Sequence, residues 1–234
     1  MIPWQELRRV NVPGEDMPLV LAQRGDEFVI RLGAVALMSN RAHGSEEALA
    51  ERACARLAGR VNVRVLIGGL GMGFTLAAAL RVLPSSAQVV VAELVPAVVE
   101  WNRGLLAGLA GRPLDDARVS VHEGDVADVL RDSKAAFDAI LLDVDNGPDG
   151  LTRSSNQHLY EASGLDTAHR ALRDDGILGV WSVAPDVAFT QRLLAHGFDA
   201  EVHVARARHT RGGRHTLWLA RRVADARSRG SHSD

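Results

Sequence analysis

Cysteine is all but absent from this sequence. One thiol in 234 residues, Cys54, excludes a disulfide scaffold and fits a reducing compartment. No glycine elbow or partner pattern surrounds Cys54, so it reads as a small core residue and not as a nucleophile. Aromatic residues make up 4% of the chain, too few for base-stacking platforms. Charge of one sign is missing as well: a net −2 leaves no basic field to attract nucleic acid. Lysine is reduced to Lys134, the remaining basic residues being arginine, which is a bias of composition. No apolar run approaches the ~18 residues of a membrane span, and the opening Met1-Ile-Pro-Trp has no signal-peptide layout. These absences predict a soluble, cytoplasmic protein whose partners are neither nucleic acid nor membrane.

What is present is a 47% hydrophobic composition, enough to fill the core of one globular domain, and one organising stretch, Val63-Arg-Val-Leu-Ile-Gly-Gly-Leu-Gly-Met-Gly73. Val63–Ile67 reads as a buried strand. Gly69, Gly71 and Gly73 form the turn, and Phe74–Leu80 reads as a helix. Glycines let backbone approach a ligand, and the helix start offers free N–H groups. Gln88–Glu93 is a second apolar strand about 20 residues on, ending in the carboxylate that suits a ribose diol. The glycine spacing is G-x-G-x-G, which with the terminal hairpin disfavours a dinucleotide dehydrogenase.

Around this centre, residues 1–44 predict a small β appendage, with a hairpin over Glu27–Met38 turning at Gly33. Ser45 before Glu46 and Glu47 reads as a helix N-cap. Residues 45–222 alternate strand and helix. The helices are expected from Pro96 to about Leu109, over Leu159–Arg173, and over Asp186–His196. Ala200–Ala207 and His215–Ala220 pair as a final hairpin, and residues 223–234 read as a disordered tail. The expected fold class is α/β, a mostly parallel sheet with helices on both faces and a C-terminal antiparallel hairpin.

Four strand ends then converge on one edge. They carry the glycine turn, Glu93, Asp125 with Val126 beside it, and Asp143. Glu93 suits a ribose, Asp125 and Val126 an adenine amino group and its apolar slot, and Asp143 a cationic sulfonium or amine. The alternative for Asp125 is a helix cap. The histidines are scattered, with no metal spacing beside a third ligand on one element, so no metal is expected. Each histidine reads as a surface or capping residue, and only for His158, after the Asp143 loop, is a base facing the substrate the alternative. Trp4, Trp101, Trp181 and Trp218 read as core or interface anchors, Trp101 with the alternative of bordering an adenosine, and Tyr160 is assigned either to packing or to the pocket. The arginine-rich stretch from Arg206 to Arg214 reads as a solvated hairpin tip.

Val65-Leu-Ile-Gly-Gly-Leu-Gly-Met-Gly73, Glu93, Gly124-Asp125 and Leu141-Leu-Asp143 resemble the class I S-adenosylmethionine-dependent methyltransferases. The order of elements resembles the spermidine synthase (polyamine aminopropyltransferase) family more closely, from about Glu27 to Ala220. The resemblance implies a Rossmann-like class I methyltransferase fold. It also implies that Gly69, Gly71, Gly73, Glu93, Asp125, Val126 and Asp143 hold S-adenosylmethionine or its decarboxylated form, with Asp143 catalytic. The family's Asp-rich loop followed by Gly-Pro matches Asp143-Val-Asp-Asn-Gly-Pro148, with Asn146 at the second acid and Asp145 one residue off. The family's Tyr-His-Glu appears as Ser45-Glu46-Glu47. Where the family's glycine loop carries an Asp that meets the donor's amine, this chain has Met72. Losing that anion favours the intact, carboxylate-bearing donor. Methyl transfer to a small acceptor is therefore the leading expectation. A polyamine aminopropyltransferase using the decarboxylated donor and an amine acceptor is the alternative, and a non-catalytic nucleoside-binding protein the second. A homodimer is expected from the exposed hairpin edge.

Overall fold

The computed structural model describes residues 2–12, 16–144 and 154–223, with all their side chains except those of 154 and 155. Asp145, Asn146, Gly147, Pro148 and the expected disordered tail beyond 223 lie outside the described residues.

The N-terminal region is more than the expected hairpin. Strands β1 (Gln5–Val10), β2 (Leu19–Arg24), β3 (Glu27–Leu32) and β4 (Val35–Ser39) form an antiparallel meander in sequence order. The first two strands escape the sequence pattern for opposite reasons. β1 is polar and largely exposed, whereas Leu19 to Ala22 of β2 are buried on both faces and do not alternate.

The second sheet has seven strands: β5 (Arg64–Gly68), β6 (Gln88–Glu93), β7 (Val119–Glu123), β8 (Phe137–Leu142), β9 (Leu172–Ser182), β10 (Phe198–Arg208) and β11 (Arg211–Arg222). Their order is β10-β11-β9-β8-β5-β6-β7, parallel except for β11, which runs against both its neighbours. The α/β class with a terminal antiparallel hairpin is therefore what the chain adopts.

Side-chain alternation explains the layers. Val65, Ile67, Ala139, Leu141, Leu217 and Leu219 face one apolar cluster with Leu49, Leu76 and Val99. Those three belong to helices α1 (Gly44–Ala55), α2 (Phe74–Val82) and α3 (Pro96–Arg103). Leu66, Ile140, Leu178 and Trp218 face the other cluster with Val126, Leu165 and Phe189. These come from helices α4 (Val126–Arg131), α5 (Ala162–Ala171) and α6 (Val187–Ala195). Leu19, Leu21 and Ile30 of the small sheet join the first cluster. The meander thus packs on the α1–α3 side of the large sheet.

Three boundaries differ from expectation. Helix α3 ends at Arg103 and not near Leu109, because Gly104 leaves the helical region at φ −114°, ψ −102°. Helix α5 covers Ala162–Ala171, after a 3₁₀ segment at Ser154–Leu159, and Leu172 already belongs to β9. Ser45 is not the cap of α1. His43 takes that position without a side-chain cap bond, and the Ser45 hydroxyl is engaged elsewhere.

Candidate active site

The chain reverses its strand order at β5, with β6 on one side and β8 on the other. In such a sheet the crevice at the carboxyl ends of these strands is where a ligand fits. The glycine turn fills the floor of that crevice. Gly69 has φ +87°, and a Cβ there would lie 2.4 Å from the Asp143 carbonyl oxygen. Only glycine allows this approach. Gly71 (φ +54°) faces the Met38 side chain of the small sheet, and Gly73 (φ +83°) caps α2. Two groups hold the turn in shape. Asn102, buried in α3, donates from Nδ2 to the Gly71 carbonyl at 2.8 Å. The Glu93 carboxylate accepts from Leu70 N–H at 2.9 Å through Oε2 and from Val95 N–H at 2.8 Å through Oε1. Replacing Gly69 by alanine is expected to cost about 3 kcal/mol or more in chemical denaturation. The comparison is Gly59→Ala, also at positive φ (+82°) but with nothing within 4 Å of the added methyl. That change should cost only about 1 kcal/mol. Equal losses would show that close approach is not the constraint at Gly69.

Above the turn lies a cavity of about 130 Å³ between the two sheets. Leu19, Ile30, Leu37 and Met38 of the small sheet and Val95 and Val98 make its apolar walls. Glu46, Glu93 and Asp143 bring the acids, and Trp181 covers one side. Asp143 accepts from the Thr75 hydroxyl at 2.6 Å. Burial pushes its carboxyl up to about 6, the Thr75 bond acting the other way. Glu46 is pushed well above the usual carboxylate range, by burial first and then by the Asp143 and Glu47 charges. Two carboxyls so placed disfavour each other's ionisation and attract a cation between them. Met72 does not line this cavity: it is 1% exposed and packed in the core.

A smaller cavity of about 50 Å³ adjoins it, lined by Gly69, Glu93, Gly124, Asp125, Val126, Val144 and Asn156. Asp125 both borders this cavity and caps α4, accepting from Ala127 N–H at 2.8 Å. The two readings of Asp125 are thus compatible. Gly69, Gly71, Glu93, Asp125, Val126 and Asp143 all meet around these two cavities, whereas Gly73 lines neither and lies against Asn102, Ala110 and Pro113.

Other sequence candidates lie elsewhere. His158 lines a separate cavity with Ala127, Arg131 and Ser163. Tyr160 is buried against Phe189, and Trp101 is buried in the core. The residues that sequence reasoning missed are Glu46, Thr75, Asn102 and Trp181. Thr75 had a signal, as a hydroxyl in the first turn of the helix after the glycines. The others are brought in by the fold.

Trp181 is held by a buried chain of hydrogen bonds. Its Nε1–H donates to Ser45 Oγ at 3.0 Å, and Ser45 Oγ lies 2.7 Å from His215 Nδ1. The serine oxygen thus joins the indole to the imidazole. Burial lowers the His215 pKa, which keeps the ring neutral. Ser45→Ala leaves both neighbours unpaired and is expected to cost about 2 kcal/mol in urea denaturation. An unchanged midpoint would contradict the contact.

Comparison with known proteins fits this geometry. Residues 46–196 match the spermine/spermidine synthase domain. Polyamine aminopropyltransferases of Mycobacterium tuberculosis and Mycobacterium bovis are 31% identical over 171 residues, covering 71% of this chain and 31% of theirs. The chain therefore spans about a third of the length of the curated relatives it matches. Spermidine synthase from Thermotoga maritima superposes with a TM-score of 0.74 at 18% identity, covering 98% of this chain and 79% of that one. A spermidine synthase in complex with the transition-state analogue AdoDATO superposes at 0.73 and 19%, with the same coverage. These solved structures carry the fold, and the domain match extends over most of the described sheet and its helices. The chain belongs to the spermine/spermidine synthase family.

Proposed function

We propose that the protein is a polyamine-type aminopropyltransferase, which moves an aminopropyl group from decarboxylated S-adenosylmethionine to an amine. The observation that carries this reading is the pair of acids, Glu46 and Asp143, in one apolar-walled cavity beside the glycine turn. The expectation of methyl transfer gives way to the aminopropyl alternative. It rested on the anion lost at Met72, but Met72 is in the core and Glu46 places a second acidic group inside the cavity. An intact donor would bring its own carboxylate towards these two, whereas a donor ending in an amine, or an amine acceptor, complements them. The names of the relatives support the same choice.

The residues present fit a nucleoside donor: a glycine floor, Glu93 at the ribose position, and Asp125 with Val126 at the base. In the reaction, the acceptor nitrogen forms a bond to the aminopropyl carbon as the carbon–sulfur bond breaks. Sulfur keeps the electron pair and becomes a neutral thioether, and the nitrogen releases a proton to Asp143. Most of the rate comes from holding nitrogen and carbon in line. Asp143, titrating near 6, accepts the proton more readily than an ordinary carboxylate does. Residues 1–44 as an appendage, a homodimer through the exposed outer strand β1, and a cytoplasmic location belong to the same proposal.

Calorimetric titration with the intact and decarboxylated donors, followed by product analysis with a diamine panel, tests this. Tighter binding of the decarboxylated form, by about ten-fold or more, and an aminopropylated product are expected. Tighter binding of the intact form with a methylated product would overturn the reading. Donor binding without turnover on any acceptor would favour the non-catalytic alternative.

A further inference from the structure

Outside this cavity, among the described residues, one group of three side chains has metal-ligand chemistry: His43, Glu47 and His209. Sequence reading gave no metal because it looked for spacing within one element. These three come from two: His43 and Glu47 from the start of α1, and His209 from the turn between β10 and β11. Gly44 is what lets that turn lie on the helix. A Cβ there would meet His209 N at 2.5 Å and the Arg206 carbonyl oxygen at 3.0 Å.

The distances are those of ligands about a common point. His43 Nδ1 and His209 Nε2 each lie 3.2 Å from the same oxygen, Glu47 Oε2, and all three atoms are within 4.8 Å of one another. Tetrahedral bonds of about 2.0–2.1 Å give ligand–ligand edges of about 3.3 Å. His43 Nδ1 is buried yet makes no hydrogen bond, so its approach to Glu47 is right in distance but wrong in angle for donor and acceptor. The supports are in place as well. The His43 ring stacks on Phe74 at 3.9 Å, and Arg81 holds the other Glu47 oxygen at 3.2 Å. His209 keeps a left-handed backbone at φ +51°, an unusual conformation for a side chain of this size.

We propose that His43, Glu47 and His209 bind one divalent transition-metal ion, which clasps the β10–β11 turn to the start of α1. Two imidazoles and one carboxylate suit zinc, with a fourth position left for water on the exposed side of His209. Magnesium is a poor fit, because it prefers oxygen ligands in an octahedron.

The test uses the untagged, metal-stripped full chain and the metal salts alone. Titration with Zn²⁺ is expected to give one ion per chain at micromolar affinity or better, and Mg²⁺ no saturable binding. Zinc at a hundred-fold excess over its dissociation constant should raise Tm by about 5 °C. His209→Asn keeps a residue tolerant of the left-handed backbone. It should weaken zinc binding by about ten-fold or more, as should His43→Gln, and each should abolish the visible absorption of the Co²⁺-loaded protein. The readout is independent of catalysis, so its failure leaves the transferase reading untouched. Unchanged zinc affinity in both folded variants, or no saturable zinc binding by the wild type, would overturn the proposal.

Discussion

Asp143→Asn is expected to lower turnover by about 10²- to 10⁴-fold, the usual contribution of a positioned general base, while making the protein more stable at pH 8. Both effects come from one group. Burial holds the Asp143 carboxyl near 6, whereas an unfolded chain releases that proton near 3.8. The folded state therefore keeps a proton that the unfolded state has lost between about pH 4 and 6. Stability falls as pH rises through this window, and above it the full cost of the buried charge is present. A shift of about two pH units corresponds to roughly 1–3 kcal/mol. Asparagine removes the charge and still offers Thr75 an acceptor at Oδ1. Its Tm should exceed that of the wild type by about 5 °C at pH 8 and match it near pH 4. Wild-type turnover should rise with pH through about 6, as the base becomes ionised. Thermal melts at the two pH values and a pH–rate profile check this. A variant less stable than wild type at pH 8, or a rate indifferent to Asp143, would remove the carboxylate from the role of base.

The parts of the site legible in the sequence are those written by local rules. A buried strand followed by glycines must turn sharply, and a carboxylate after an apolar run falls at a strand end. Glu93, Asp125 and Asp143 could therefore be placed on one edge before any coordinates. Glu46 could not. In the sequence it is one of two acids in the first turn of a helix, ordinary partners of a helix dipole, and only the packing of α1 on the sheet brings it opposite Asp143. Ser45 was misleading for the same reason. A serine before two glutamates has the composition of a cap, but Trp181 and His215, far along the chain, claim its hydroxyl. Met72 shows the limit of substitution logic. The family's acid is missing there, yet between two positive-φ glycines the backbone turns the side chain into the core, and the cavity's second acidic group arrives from another element. The metal cluster was hidden in the same way, its ligands split between a helix start and a hairpin turn.

Glu93 has the second large expected effect, because in the proposed reading one carboxylate serves both the turn and the ligand. Its two oxygens accept from Leu70 and Val95 N–H groups, and a carboxylate oxygen can accept more than one hydrogen bond. Glu93→Ala removes both backbone bonds and should cost about 2–4 kcal/mol of stability, given the worth of bonds to a buried charged acceptor. It should also weaken nucleoside binding by about 100-fold. Glu93→Gln is the sharper variant. An amide has one oxygen, so its NH₂ group must face either Leu70 N–H or Val95 N–H, donor against donor. The isosteric change should therefore be nearly as damaging to the turn as alanine, whereas at a site that needed only shape it would be mild. Urea denaturation and calorimetry with decarboxylated S-adenosylmethionine read the two roles separately. Loss of stability with unchanged affinity would make Glu93 a tether of the glycine turn alone. Loss of affinity in both variants, beyond what reduced stability accounts for, is the result expected of a residue that holds the turn and the ribose together.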